Sequence, residues 1–114
     1  MILVIGEALI DLIENRYQPG AFNAIVGGAN ANVALALARR GASHTFYARM
    51  SRDRFGDIIR KRLDDNNVHY GNSVITDDNS TLAIVSLNEA GSPTYSFYVN
   101  GTADWGWTPA ELPT

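Results

Sequence analysis

The sequence predicts an α/β fold built on a parallel sheet. Three observations predict it. A continuous β-branched and aliphatic run, Ile2 to Ile5, is closed by Gly6; an alanine-rich helical stretch follows the pair Gly27-Gly28; and a short apolar run, His44 to Ala48, comes close behind. Strand, helix, strand in that order is the outline of a βαβ crossover, because parallel strands need a long connection between them.

Each element has its own local reason. Ile2 to Ile5 shows no alternation, which predicts a strand buried on both faces. Leu9 to Glu14 continues in extended style, with Leu9, Asp11 and Ile13 on one side and Ile10, Leu12 and Glu14 on the other. The turn YQPG, Tyr17 to Gly20, sends the chain back through Phe22 to Val26, so this part reads as a hairpin excursion. The first helix is expected from about Asn32 to Arg40, with Val33 and Leu37 four apart, Arg39 and Arg40 against the C-terminal dipole, and Gly41 as the left-handed stop. A second helix is expected after Asp53, its N-cap; Phe55, Ile59 and Leu63 form the apolar stripe, and Asp57 and Lys61 an ion pair on the wet side. Thr81 to Leu87 and Thr94 to Val99 read as strands joined by a hairpin loop, NEAGSP. Thr108, Pro109 and Glu111 form a capping box three residues before the sequence stops, which suggests a helix cut short.

A chain of 114 residues is expected to hold a single core rather than a two-domain enzyme. Its 46% hydrophobic and 18% charged residues argue against disorder. With a net charge of −3 it has no general attraction to nucleic acid or to an anionic membrane, and a small-molecule partner is expected. The absence of cysteine excludes disulfide scaffolds, thiolate metal sites and a cysteine nucleophile, and fits the cytoplasm. Glu7 and Asp11 interrupt the N-terminal apolar run, so neither a signal peptide nor a membrane anchor is expected there.

The segment GGANAN, Gly27 to Asn32, is neither a P-loop nor a dinucleotide fingerprint. Bare glycines let a ligand approach the backbone, a helix start offers N–H groups, and an asparagine amide both donates and accepts, as vicinal hydroxyls do. A plainer reading is open: the glycines make a tight turn, and Asn30 or Asn32 caps the helix. Asp11 is a carboxylate on an apolar strand face, either needing a partner once buried or exposed at a strand end. Asp11 and the glycine segment converge where an open α/β sheet binds ligands, beyond the carboxyl ends of its strands, which points to a polyol. Phe97 lies on the second hairpin, which could fold over the same place. His44 and His69 read as structural, and Arg49, Arg52 and Arg54 as a solvated face, with phosphate contact the lesser reading. Trp105 and Trp107 could stack on a sugar, though packing is the commoner fate of tryptophan; no metal site is expected.

Taken in order, VIGEALIDLI, GGANANVALALARRG, DRFG leading into a helix, and a hairpin ending FYVNGTAD before TPAEL resemble the N-terminal part of ribokinase-like sugar kinases, the phosphofructokinase-B family. The resemblance covers essentially the whole chain. It implies a Rossmann-like ribokinase fold with a small β-sheet lid made of two hairpins, here about 12–26 and 80–99. It implies ATP-dependent phosphorylation of a sugar hydroxyl, with Asp11, Gly27, Gly28 and Asn32 holding the sugar under a lid that carries Phe97. In the family the catalytic aspartate, the phosphoryl-stabilising glycines and the ATP and Mg2+ sites belong to a C-terminal GAGD-type motif. This sequence has no such motif, so no catalytic, nucleotide or metal residue is expected in it, and the chain alone is expected to be inactive. Asn30 stands where many relatives have proline, and Ala48 and Ser51 replace common glycines. Relatives acting on keto-acid sugars tend to carry an arginine near Val99, and Val99 cannot pair a carboxylate. The resemblance therefore implies a neutral ketohexose such as fructose, the fructokinase-like branch. A 2-keto-3-deoxygluconate, ribose or nucleoside kinase of the same family is the nearest alternative. A noncatalytic module that binds sugar, or forms a homodimer through the lid, is the alternative from another class.

Overall fold

A computed structural model describes residues 1–113. In chain order it contains β1 (Ile2–Ile5), β2 (Leu9–Glu14), β3 (Phe22–Gly27), α1 (Ala29–Arg39), β4 (His44–Tyr47), β5 (Arg49–Ser51), α2 (Arg54–Asp65), β6 (Val74–Thr76), β7 (Leu82–Leu87) and β8 (Pro93–Tyr98). Two 3-10 turns follow, Ala103–Trp105 and Pro109–Glu111.

The crossover joins β1 to β4, which run parallel with Ile2 opposite His44 and Ile5 opposite Tyr47. β5 and β6, absent from the sequence expectation, form a second parallel pair. Three residues each are too few to show a period. The four-stranded sheet has the order β3-β2-β7-β8: two antiparallel hairpins, remote in sequence, joined by parallel pairing of β2 with β7.

The core gathers Val4, Ile10, Leu35, Phe46, Met50, Ile59 and Leu63. Leu12, Val26 and Leu82, on the same sheet face as Ile10, pack against it. On the opposite face Ile13, Ile25, Tyr95 and Phe97 are exposed, while Ala83 in its middle is buried. β1 departs from expectation: only Val4 is buried, while Ile2, Leu3 and Ile5 are 48%, 49% and 42% exposed. An apolar run reports what a strand can bury; among the described residues β1 pairs with β4 alone.

α1 begins at Ala29, three residues before the expected start, because Gly28 is the N-cap and the cap comes from outside the helix. Glu7 Oε1 accepts the Ala29 N–H at 3.1 Å, and the Glu7 carbonyl accepts the Ala31 N–H at 3.2 Å. Neither asparagine caps it: Asn30 Nδ2 instead donates to the Ile5 carbonyl at 3.2 Å, tying α1 to the end of β1. The expected stop holds, with Gly41 at φ 70° and the Ala42 N–H bonded to the Leu37 carbonyl.

α2 starts as expected, with Asp53 Oδ1 accepting the Gly56 N–H at 2.8 Å. The Asp57–Lys61 pair is replaced by Asp57–Arg60 and Lys61–Asp65. Arg60 also donates to the Ser51 carbonyl at 2.7 Å, so its planar fork is held beside Asp57, and Lys61 has Asp65 within equal reach one turn on. The capping box at Thr108 and Glu111 forms as expected.

Candidate functional site

Strand register assembles the candidate site. Asp11 on β2 lies opposite Ile25 on β3 and Ala83 on β7, and Ala83 lies opposite Phe97 on β8. Residues paired across a sheet share a face, so Ile25, Asp11, Ala83 and Phe97 form one row across the exposed side of the sheet. Phe97 is 64% exposed, stacks on Tyr95 at 6.0 Å, and stands two strands, roughly 10 Å, from Asp11.

Gly27 follows β3 down the same face, and a Cβ there would collide with Oδ2 of Asp11. The carboxylate therefore rests against bare backbone. Asp11 is half-buried, and burial pushes its carboxyl above the ordinary value. Gly28 has φ 101°, and a Cβ there would approach the Glu7 carbonyl to 2.8 Å. What crowds these two glycines within the chain is thus Asp11 and Glu7. Asn32 ends the first turn of α1 and is exposed. Asp11 and Gly27 are in contact, Gly28 adjoins them in sequence, and Phe97 shares their sheet face.

Beside this face stands a wall in which sequence reasoning weighs Trp105 and Trp107 but misses Glu7 and Asp104. A cleft of about 480 Å³ opens between Leu9 and Phe97 of the sheet and the segment that follows β8, beginning at Val99. Glu7, Asp104, Trp105 and Trp107 line its other side. Trp107 stacks on Tyr47 at 5.6 Å, whereas Trp105 is exposed. Both Asp104 carboxyl oxygens are buried with no donor in good hydrogen-bond geometry. Burial, with the nearby Glu7 charge, pushes its pKa up to about 7, against a lowering pull from the Thr81 hydroxyl and the Ala8 N–H beside it. The sequence signal was a carboxylate set between Ala103 and Trp105, soon after a strand. Another cleft, of about 350 Å³, lies at the hairpin tips between Glu14–Arg16 and Leu87–Gly91 and holds none of the expected site residues.

Arg49 corrects the reading of a solvated basic face. It is buried, and its guanidinium binds Asp78 at 2.8 Å, Glu111 at 3.2 Å and the Ala103 carbonyl at 3.0 Å. A Cβ on Gly106 would collide with it. Arg49 thus ties the cleft-lining segment to β5. Arg52 does face solvent, paired with Asp77. His44 is structural as expected: its Nε2 accepts the His69 N–H at 3.1 Å and its Nδ1 lies 2.9 Å from the Ala42 carbonyl.

Among the described residues no three His, Cys, Asp or Glu side chains converge as a metal site. No helix there is long and apolar enough to cross a membrane.

A family model described as "pfkB family carbohydrate kinase" matches residues 1–113. The chain is 41% identical to a fructokinase of Rhizobium leguminosarum bv. trifolii, covering 99% of this chain and 35% of that protein. It is 36% identical to fructokinase-1 of Oryza sativa subsp. japonica, covering 98% of this chain and 36% of that protein. The crystal structure of fructokinase with bound ATP from Xylella fastidiosa superposes with a TM-score of 0.88 at 34% identity, covering 98% of this chain and 37% of that one. The chain thus spans about a third of the length of the relatives it matches. Its two-hairpin sheet, its glycine-to-helix passage and this family match agree, and the chain belongs to the pfkB family of carbohydrate kinases.

Proposed function

We propose that the complete protein transfers the terminal phosphoryl group of ATP to a hydroxyl of a neutral ketohexose such as fructose, and that this chain supplies the part that binds the sugar. The observation that carries the reading is the contact of the Asp11 carboxylate with the bare backbone of Gly27, on the exposed sheet face of a pfkB-family chain. Asp11 would accept hydrogen bonds from sugar hydroxyls, Gly27 and Gly28 would allow the ring close to the backbone, Asn32 would donate and accept at the rim, and Phe97 would cover an apolar side. The bound nucleotide of the Xylella fastidiosa structure and the fructokinase relatives support ATP and fructose as the pair. ATP would supply the phosphoryl group and Mg2+ its charge neutralisation, both held by the GAGD-type part of the protein. The site is expected to work in the cytoplasm.

An ATP-consumption assay of the full-length protein against fructose, ribose, 2-keto-3-deoxygluconate and a nucleoside tests the assignment. Fructose should give the highest kcat/KM; a preference for any other member would reassign the substrate.

A second reading concerns the exposed sheet face. Ile13, Ile25, Tyr95 and Phe97 offer an apolar surface that a second copy of the lid could cover, as a homodimer or as a self-associating noncatalytic module. Sedimentation of the full-length protein should give twice the monomer mass, and a concentration-independent monomer would remove this reading.

A further inference from the structure

We propose that Asp104 is a specificity-determining residue of the cleft: its carboxyl binds a hydroxyl of a neutral sugar and, with Glu7 beside it, turns away sugar acids and sugar phosphates. The proposal rests on the sugar-site reading above and adds the wall opposite the sheet.

Asp104 sits in the tight turn after β8, and neither of its buried oxygens has a donor in good hydrogen-bond geometry. The Thr81 hydroxyl and the Ala8 N–H lie beside it, but Thr81 Oγ1 donates to Thr102 Oγ1 at 2.7 Å, and Thr102 Oγ1 donates onward to the Val99 carbonyl at 2.8 Å, so neither oxygen of Asp104 is fully paired. A buried carboxyl without a partner is costly, so a group held in this condition at a cleft wall is suited to a ligand that brings its own donors. Its turn is also held firmly. Arg49 Nη1 donates to the carbonyl of Ala103, the preceding residue, and is itself fixed by Asp78 and Glu111.

The rest of the cleft matches the same ligand class. Trp105, Trp107 and Phe97 offer apolar surface for the C–H faces of a ring, while Asp104 and Glu7 offer carboxyl oxygens, acceptors only once Asp104 has lost its proton above about pH 7. A neutral polyol presents hydroxyl donors to both. A carboxylate or phosphate meets the Glu7 carboxylate there and, above about pH 7, an ionised Asp104 as well, and is repelled.

The test is calorimetric titration of the full-length protein with fructose and with gluconate at about pH 8.5, where Asp104 is ionised, comparing the wild type with Asp104→Asn. The wild type should take fructose and reject gluconate. In the variant, fructose affinity should fall about tenfold and the preference for fructose over gluconate should narrow by at least about tenfold, with no loss of melting temperature. An unchanged preference overturns the proposal, and so does a lower melting temperature with sugar binding intact, which would make Asp104 purely structural. Should that variant fold poorly, Glu7→Gln carries the same test, because the amide still accepts the Ala29 N–H yet removes one acidic neighbour; an unchanged fructose-to-gluconate ratio there also overturns it. Asp11→Ala separates the two levels. If it abolishes fructose binding while Asp104→Asn leaves the preference intact, the sugar site stands and the role of Asp104 falls; a wild type that takes no fructose overturns both.

Discussion

Asp11 occupies the space that a side chain at Gly27 would fill: a Cβ on residue 27 would collide with Oδ2 of the carboxylate. The two positions, on neighbouring strands, therefore act as a unit. Gly27→Ala should leave a folded protein with a displaced Asp11 and weaken sugar binding at least about tenfold. Because both changes disable one carboxylate, the double variant with Asp11→Ala should bind no more weakly than Asp11→Ala alone. Calorimetry of the three variants checks this, and additive losses would separate the residues.

The Asp53 carboxylate does two jobs, capping α2 through Gly56 and accepting the Ser80 N–H at 2.8 Å and the Ser80 hydroxyl at 2.7 Å, just before β7. Asp53→Ala should cost about 2 kcal/mol, above a typical single cap, by urea denaturation. Burial pulls this carboxyl up, but its hydrogen bonds with Ser80 and Gly56 hold it below its ordinary value. Its contribution is therefore full above the unfolded value of 3.8 and is lost as pH falls through the lower folded one. The gap between wild type and variant should shrink in acid; a gap independent of pH would show that the carboxylate charge plays no part.

These two sites differ in how legible they were. The cap at Asp53, the stop at Gly41 and the apolar stripe of α2 are local, set by residues within a turn of one another, and a sequence displays such signals directly. The pairing of β2 with β7 is long-range, yet the hairpins themselves were legible from their turns. Arg49, Glu7 and Asp104 were not, because their roles depend on partners far along the chain: Arg49 on Glu111, Glu7 on Ala29, Asp104 on the folding back of the segment after β8. An arginine near two others in sequence looks solvated until its distant acidic partners are placed. β1 misled for the opposite reason, since its apolar run tells nothing of which of its faces is covered.

Arg49 holds the cleft-lining segment through two carboxylates and one carbonyl while its own side chain is buried. Arg49→Ala should destabilise the protein by about 3 kcal/mol, leaving Asp78, Glu111 and the Ala103 carbonyl without their donor. Arg49→Lys should recover only part of this, since an ammonium cannot span three acceptors in a plane. Full recovery by lysine in denaturant titrations would reduce the site to simple charge.

Asp104 gives a pH signature of the opposite sign to Asp53. Burial raises its folded value to about 7 from 3.8, so the native state holds this proton more tightly than the unfolded chain does. The stability it lends as a neutral acid is complete below the unfolded value and is lost as pH rises through about 7. Relative to wild type, Asp104→Asn should gain about 1–2 kcal/mol on going from roughly pH 5 to pH 8.5, after allowance for solvent screening. A difference that stays flat over that range would mean that the carboxyl is solvated.

The central claim is that the carboxylate at Asp11 holds the sugar. The most direct measurement is steady-state fructose phosphorylation by the full-length protein and its Asp11→Ala variant, with circular dichroism confirming equal folding. The account predicts a fall in kcat/KM of at least about a hundredfold, the scale expected when a charge-assisted pair of hydrogen bonds to substrate is removed. An equally folded variant that phosphorylates fructose with wild-type efficiency would contradict it.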